Sequence, residues 1–334
     1  MVQALSVKSR SKISWKAIGL ALNLIVVSIA FFILYRTLRN VDLQKVWATM
    51  SETPAWTIAL AGVFVTAGYV TMTLYDYFAL RTIERPDVPY RTAALAGFTS
   101  YAIGHNMGAT ALVAGAVRLH VYSAWGLSVI EVAKIAFITG LTFWLGNTFA
   151  LGLALAFAPD LAAAVTHLLP WINQMLGAVA LTAITGYVAW LLRRPRALSH
   201  RDWRMALPNA PMTLVQIAIG CLDLAAGALA FYVLLPDEPA IGFAIVAVAF
   251  LIATLLGFIS HAPGSLGVFD TAMVVALSQY PTEQLVASLL IFRCLYFILP
   301  LAVAVAILAA REVRSMQRIK PLAIRGAAGR PSHA

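Results

Sequence analysis

The stretch Leu256–Met273, LGFISHAPGSLGVFDTAM, decides how the rest of the chain is read. It lies within long apolar sequence, yet it gathers Gly257, His261, Pro263, Gly264, Gly267 and Asp270. In lipid every backbone amide needs an internal partner, so such a break survives only where protein or a wet cavity covers it. A related string occurs earlier. Gly97-Phe98-x-Ser100-x-Ala102-x-Gly104 matches Gly257-Phe258-x-Ser260-x-Ala262-x-Gly264, every position displaced by 160 residues. Broken segments at corresponding places in two halves are a sequence pointer to a transport site. Shared small and apolar composition also produces such a match, so topology serves as the independent check.

Hydrophobic residues form 61% of the 334-residue chain and charged ones 11%, far from the soluble balance. About 20 apolar residues cross a bilayer as a helix, and many such windows are present. The expected fold is all-α: a polytopic helical membrane bundle with two broken, re-entrant hairpins as an inverted repeat. The net charge of +10 sits beside apolar spans, which fits positive-inside topology and anionic lipid better than nucleic acid. Cys221 and Cys294 fall in apolar spans and imply no disulfide framework.

Working outward, residues 1–14 read as a basic cytoplasmic N-terminus and 15–312 as the membrane domain, with repeat halves of about 55–192 and 211–310. The first span is expected over Trp15–Leu38, and Val41–Met50 has helical spacing suited to an interface. If Thr92–Gly126 crossed once, the loop RRPRALSHRDWRMALPN (Arg193–Asn209) would lie outside with five arginines, against the positive-inside bias. If that segment enters and returns, Arg193–Asn209 is cytoplasmic and Pro236–Pro239 is outside. The same parity makes the second broken piece begin and end outside, so the two hairpins have opposite orientation. Both termini are then cytoplasmic, and 313–334 reads as a basic, disordered tail.

Ionisable groups within spans are costly and are functional candidates by default. They are Asp76, His105, Arg118, Glu131, Lys134, Asp223, His261, Asp270 and Arg293. Arg293 has apolar sequence on both sides and needs a carboxylate or an anionic ligand, with Asp270 and Asp223 as the natural carboxylates. Arg118 suits headgroup depth, either binding phosphate or anchoring topology. Glu131 and Lys134 are spaced to pair locally. His105 and His261 follow the shared motifs, where a lone histidine more often bonds free backbone than relays protons. Gly104, Gly108, Gly264 and Gly267 suit sharp turns or close helix approach, and Pro263 marks the break. Gly177 reads as an ordinary span residue, tolerant of a larger side chain. Phosphate loops, dinucleotide fingerprints and metal motifs are absent from the sequence, so no cofactor or metal is expected.

The strings SYAIGHNMGATALVAGAVRLHVYSAWGLS, EVAKIAFITGLTFWLGN, LGFISHAPGSLGVFD and LLIFRCLYFILPL closely resemble the membrane region of the bacterial lysylphosphatidylglycerol synthase/flippase (multiple peptide resistance factor) family and its YbhN-like relatives. The likeness covers about residues 15–312. Val113-Ala114-Gly115-Ala116 stands where that family often has paired glycines, and Asp270 where many members have Glu. The resemblance implies a bacterial inner-membrane lipid translocator for an anionic or aminoacylated phospholipid or another polar or isoprenoid lipid. The family's soluble synthase domain has no counterpart in this sequence, so a non-enzyme is expected. The alternative is a non-transporting subunit that recruits a separately encoded synthase or transferase, and an oligomer is compatible with either. A membrane enzyme using Asp270, His261 and Arg293 is the weakest reading, since no nucleophile or metal constellation supports it.

Overall fold

A computed structural model describes residues 41–107, 110–193, 197–200 and 203–327, with Phe32, Tyr35 and Arg39 before them. The expected first span falls almost wholly outside the described residues, as does Gly108. Twelve helices are described: α1 (Leu43–Glu52), α2 (Ala55–Thr82), α3 (Tyr90–Met107), α4 (Thr110–Ser123), α5 (Val129–Phe157), α6 (Pro159–Thr166), α7 (Pro170–Arg193), α8 (Ala210–Tyr232), α9 (Phe243–Ser260), α10 (Val268–Ala276), α11 (Thr282–Arg293) and α12 (Leu299–Ala327). Six stretches are long and apolar enough to cross a membrane: α2, α5, α7, α8, α9 and the run Thr282–Arg314. The chain is an all-α polytopic membrane bundle.

Local sequence explains most boundaries. Asp42 caps α1 by accepting from the Gln44 and Lys45 amides. That helix buries Val46 against the protein and leaves Leu43 and Trp47 exposed, as an interfacial helix does. Ser128 and Glu131 form a reciprocal capping box at the start of α5. Pro159 opens α6 from its first turn. The segment after α5 is therefore a short helix, closed by His167 in the left-handed region. Within the arginine-rich loop, β1 (Ala197–His200) pairs antiparallel with β2 (Trp203–Ala206), and Met205 buries into the cluster around Ala79, Leu80 and Tyr122. The tail expectation needs correcting: α12 continues through Ala327. Its Arg, Met, Gln and Ala residues are good helix formers that extend a helix already anchored by its apolar span.

α2 and α8 make the most extensive pairing and run through the middle of the bundle, with α5 beside both. Where α5 crosses α8, a Cβ added to Gly146 would stand 2.5 Å from the Gly220 Cα. Where α7 crosses α5, one added to Gly177 would stand 2.4 Å from the Ala156 backbone nitrogen. Gly177 is thus a tight joint rather than an ordinary span residue; the lack of a side chain lets two backbones touch. α3 and α4 pack along each other as a hairpin, as the enter-and-return reading requires. With 18 and 14 residues, at 1.5 Å per residue they are roughly 27 and 21 Å long, short of a full crossing for α4. α9 and α10 form the second hairpin. The hairpins meet where α3 packs against the 3₁₀ turn Pro263–Ser265.

Candidate functional site

The second break is built from backbone that only a few residues tolerate. α9 stops at Ser260, and His261, Gly264, Ser265 and Gly267 all take positive φ. The His261 Nδ1 lies 2.8 Å from the Ile259 carbonyl, so the imidazole serves free backbone. Asp270, three residues into α10, reaches back to accept from the Gly267 amide at 3.0 Å. Its two oxygens also receive Arg293 Nε at 2.7 Å and Nη2 at 2.6 Å. Arg293 Nη1 donates to the Gly264 carbonyl at 3.1 Å. One guanidinium thereby neutralises the carboxylate and satisfies the broken turn.

Arg293 ends α11, and Cys294–Ile298 follows as a π turn. Pro300 explains it. A proline has no N–H to give the carbonyl four residues back, which is that of Tyr296. The Tyr69 hydroxyl donates to this carbonyl at 3.0 Å. Asn106, at the tip of the first hairpin, donates to the neighbouring Phe297 carbonyl at 3.1 Å. The kink is thereby stitched to α2 and α3, and such π turns recur at functional positions.

In the first hairpin Arg118 is enclosed by protein and occupied by a carboxylate. It is buried, with Nε and Nη2 donating to Asp76 at 2.8–3.1 Å. Tyr122 donates to the same carboxylate at 2.9 Å. The partner sits 42 residues away on α2, beyond the reach of local sequence reasoning, and pairing is what permits this burial.

Between the hairpins lies a cavity of about 90 Å³, lined by Tyr75, Tyr101, His105, Asp223, His261 and Tyr296 among others. It has room for a few waters and far less than a phospholipid needs. Each guanidinium stacks over a ring that also lines it: Arg118 over Tyr101 at 5.0 Å, Arg293 over Phe297 at 5.3 Å. Asp223 does not partner Arg293. One of its oxygens accepts from Tyr75 at 3.1 Å, and the other has no hydrogen-bond partner among the described residues. His105 reaches the cavity with its ring edge-on to Tyr101.

The structure therefore brings His105, Asp223, His261 and Pro263–Gly267 to one place, with Arg118 and Arg293 just behind aromatic rings. Gly104 is buried within α3. Glu131 stands apart. Its carboxylate is taken by Ser128 and by Arg85 at 2.7 Å, not by Lys134, because capping folds it back over the helix start. Asp76 was among the candidate ionisable groups but its pairing with Arg118 was not foreseen, and Tyr75, Tyr101, Tyr122 and Tyr296 were missed as site residues. The available signal was the string of tyrosines inside apolar spans, each of whose hydroxyls needs a buried partner. Among the described residues no group of three His, Cys, Asp or Glu could hold a metal ion.

Comparison with known proteins agrees with this architecture. An uncharacterized protein of Synechocystis is 30% identical over 265 residues, covering 78% of this chain and 81% of that protein. The inner membrane protein YbhN of Escherichia coli is 24% identical over 275 residues, covering 80% and 83%. The chain belongs to the YbhN-like family. Phosphatidylglycerol lysyltransferase of Staphylococcus aureus is 22% identical over 280 residues, covering 81% of this chain but 31% of that protein. YbhN-like chains thus share their membrane architecture with the lysylphosphatidylglycerol synthase/flippase family, and the lysyltransferase's remaining length lies outside the match. No family model matches the sequence.

Proposed function

We propose that the chain is a lipid translocator of the inner membrane, acting on an anionic or aminoacylated phospholipid or another polar or isoprenoid lipid, without enzymatic activity of its own. The observation that carries this reading is the meeting of two broken hairpins around one polar cavity, each tied down by an Arg–Asp pair. Broken helices facing each other at the junction of two halves give a substrate polar groups within the bilayer. The repeated order of long helix, hairpin, long helix supports inverted halves, with the β1–β2 ribbon and both termini on the cytoplasmic side. The present cavity is too small for a headgroup, so passage requires the hairpins to part. Reconstitution into liposomes tests this directly. Headgroups of these lipids should become accessible faster than in protein-free vesicles, and equal rates for all of them would overturn the reading.

A further inference from the structure

We propose that Asp223 is a proton-exchange site: its carboxyl takes a proton from cavity water and returns it as the hairpins rearrange, so that proton movement is coupled to lipid movement. The coupling rests on the translocator reading above; the proton site itself stands on geometry. Asp223 is 4% exposed, at the centre of the α2–α8 crossing, and lines the cavity. Its Oδ1 has no hydrogen-bond partner among the described residues, and Oδ2 has only the Tyr75 hydroxyl. Asp76 and Asp270 each hold an arginine; Asp223 has neither arginine nor lysine as a partner among the described residues. An unpaired carboxylate deep in a membrane protein is costly, and a removable positive charge is the simplest compensation.

The groups facing it come from every neighbouring element. α2 supplies Tyr69 and Tyr75, α3 supplies Tyr101 and His105, the π turn supplies Tyr296, and the second break supplies His261. Arg118 and Arg293 stand behind Tyr101 and Phe297, each already occupied by its own aspartate. α9 has no ionisable side chain, while Glu131 and Lys134 lie in the first turns of α5 and Arg193 at the end of α7. A bare metal ion would need enough oxygens to replace its hydration shell. The lining offers one carboxylate, Asp223, and otherwise only the neutral hydroxyls of Tyr75, Tyr101, Thr254, Ser265 and Tyr296. A proton needs one oxygen, and the cavity has room for the water that would deliver it. His261 is exposed and also lines the cavity, which gives that water a route to the outside of the protein.

Infrared difference spectra of the purified protein across a pH titration test the site, paired with lipid-exchange rates in liposomes at the same pH values. The expected result is a protonated-carboxyl band that appears and disappears with pH, is lost in Asp223→Asn, and has a shifted midpoint in Tyr75→Phe. Exchange by wild type should vary with pH, and exchange by Asp223→Asn should lose that variation. No such band in wild type, an unshifted midpoint in Tyr75→Phe, or a rate that follows sodium at fixed pH overturns the proposal. Identical pH profiles in wild type and a folded Asp223→Asn also overturn it, and leave lipid translocation standing. A titrating Asp223 without lipid exchange at any pH keeps the proton site and removes the translocator reading instead.

Discussion

In the first hairpin the Arg118 and Asp76 side chains are 3% and 0% exposed, whereas Arg293 and Asp270 in the second are each 12% exposed. Tyr122 joins the first pair as a further donor. The second pair shares its carboxylate with a turn amide and its guanidinium with a turn carbonyl. Two like-charged clasps therefore do different work. The first fixes α4 to α2, because separating charges that deep exposes both to a medium that cannot solvate them. The second holds a turn of four positive-φ residues at the edge of the cavity, where partial exposure lowers the cost of parting. The first hairpin is a joint and the second is a catch.

The largest expected effect lies in the joint. Arg118→Ala should cost about 3–5 kcal/mol by leaving Asp76 buried with only Tyr122, and adding Asp76→Asn should restore part of it. Arg293→Ala should cost about 1–3 kcal/mol, since the Gly267 amide remains on Asp270, but it should stop lipid exchange, with Arg293→Lys restoring a fraction. Thermal unfolding in detergent measures the first quantity and liposome exchange the second. Equal stability losses for the two arginines would erase the distinction between joint and catch.

Next comes a contrast between glycines. Gly177→Val should cost about 3 kcal/mol, the upper end for overpacking, because its side chain would run into the α5 backbone. Gly264→Val should cost about 1–2 kcal/mol from its left-handed backbone, the nearest atoms being 3.7 Å away. This order reverses what composition around the break suggests. Should Gly264→Val prove the worse in unfolding midpoint, the second hairpin is packed more tightly than a catch allows.

Why one clasp was legible and the other was not follows from distance and depth. Asp270 and Arg293 are 23 residues apart and each is flanked by apolar sequence, so each visibly needs a partner and the other is at hand. Arg118 follows a glycine-rich run at a hairpin end, where its depth depends on how far the hairpin re-enters, and its partner lies on another helix. Asp223 and Tyr75 are 148 residues apart, joined only by the α2–α8 crossing. Apolar spans and the breaks are visible in one dimension because lipid imposes them on the chain locally. The crossing at Gly177 is a property of two helices at once, and one helix's composition carries no trace of it.

The link between the hairpins should yield a smaller effect. Tyr69→Phe and Asn106→Ala each remove one donor from the carbonyls freed at the π turn, and each should cost about 1 kcal/mol. If the turn couples joint to catch, the double variant should lose more than the two single losses added together. Additive unfolding midpoints would show that the two hairpins respond independently.

The smallest effect concerns a third arginine clasp, outside the spans, which marks the exposed limit of the series. In the loop before α3, Arg85 grips Asp87 with Nε and Nη2, both at 3.0 Å, and bonds the Trp125 carbonyl at 2.8 Å. The Arg85 hydrogen bonds hold the Asp87 carboxyl below the usual carboxylate range. A group whose value is lowered on folding adds stability above its unfolded value of about 3.9, and this contribution is lost as pH falls through the lower folded value. Asp87→Asn should therefore lower the unfolding midpoint slightly at neutral pH, by a difference that shrinks as pH falls below about 3.9. Because Asp87 is open to solvent, added salt should shrink even the neutral-pH difference. Arg118→Ala should show no comparable salt dependence, its pair being out of reach of mobile ions. A salt response of similar size in both variants would mean that water reaches Asp76, and the first hairpin would then be no more of a joint than this loop.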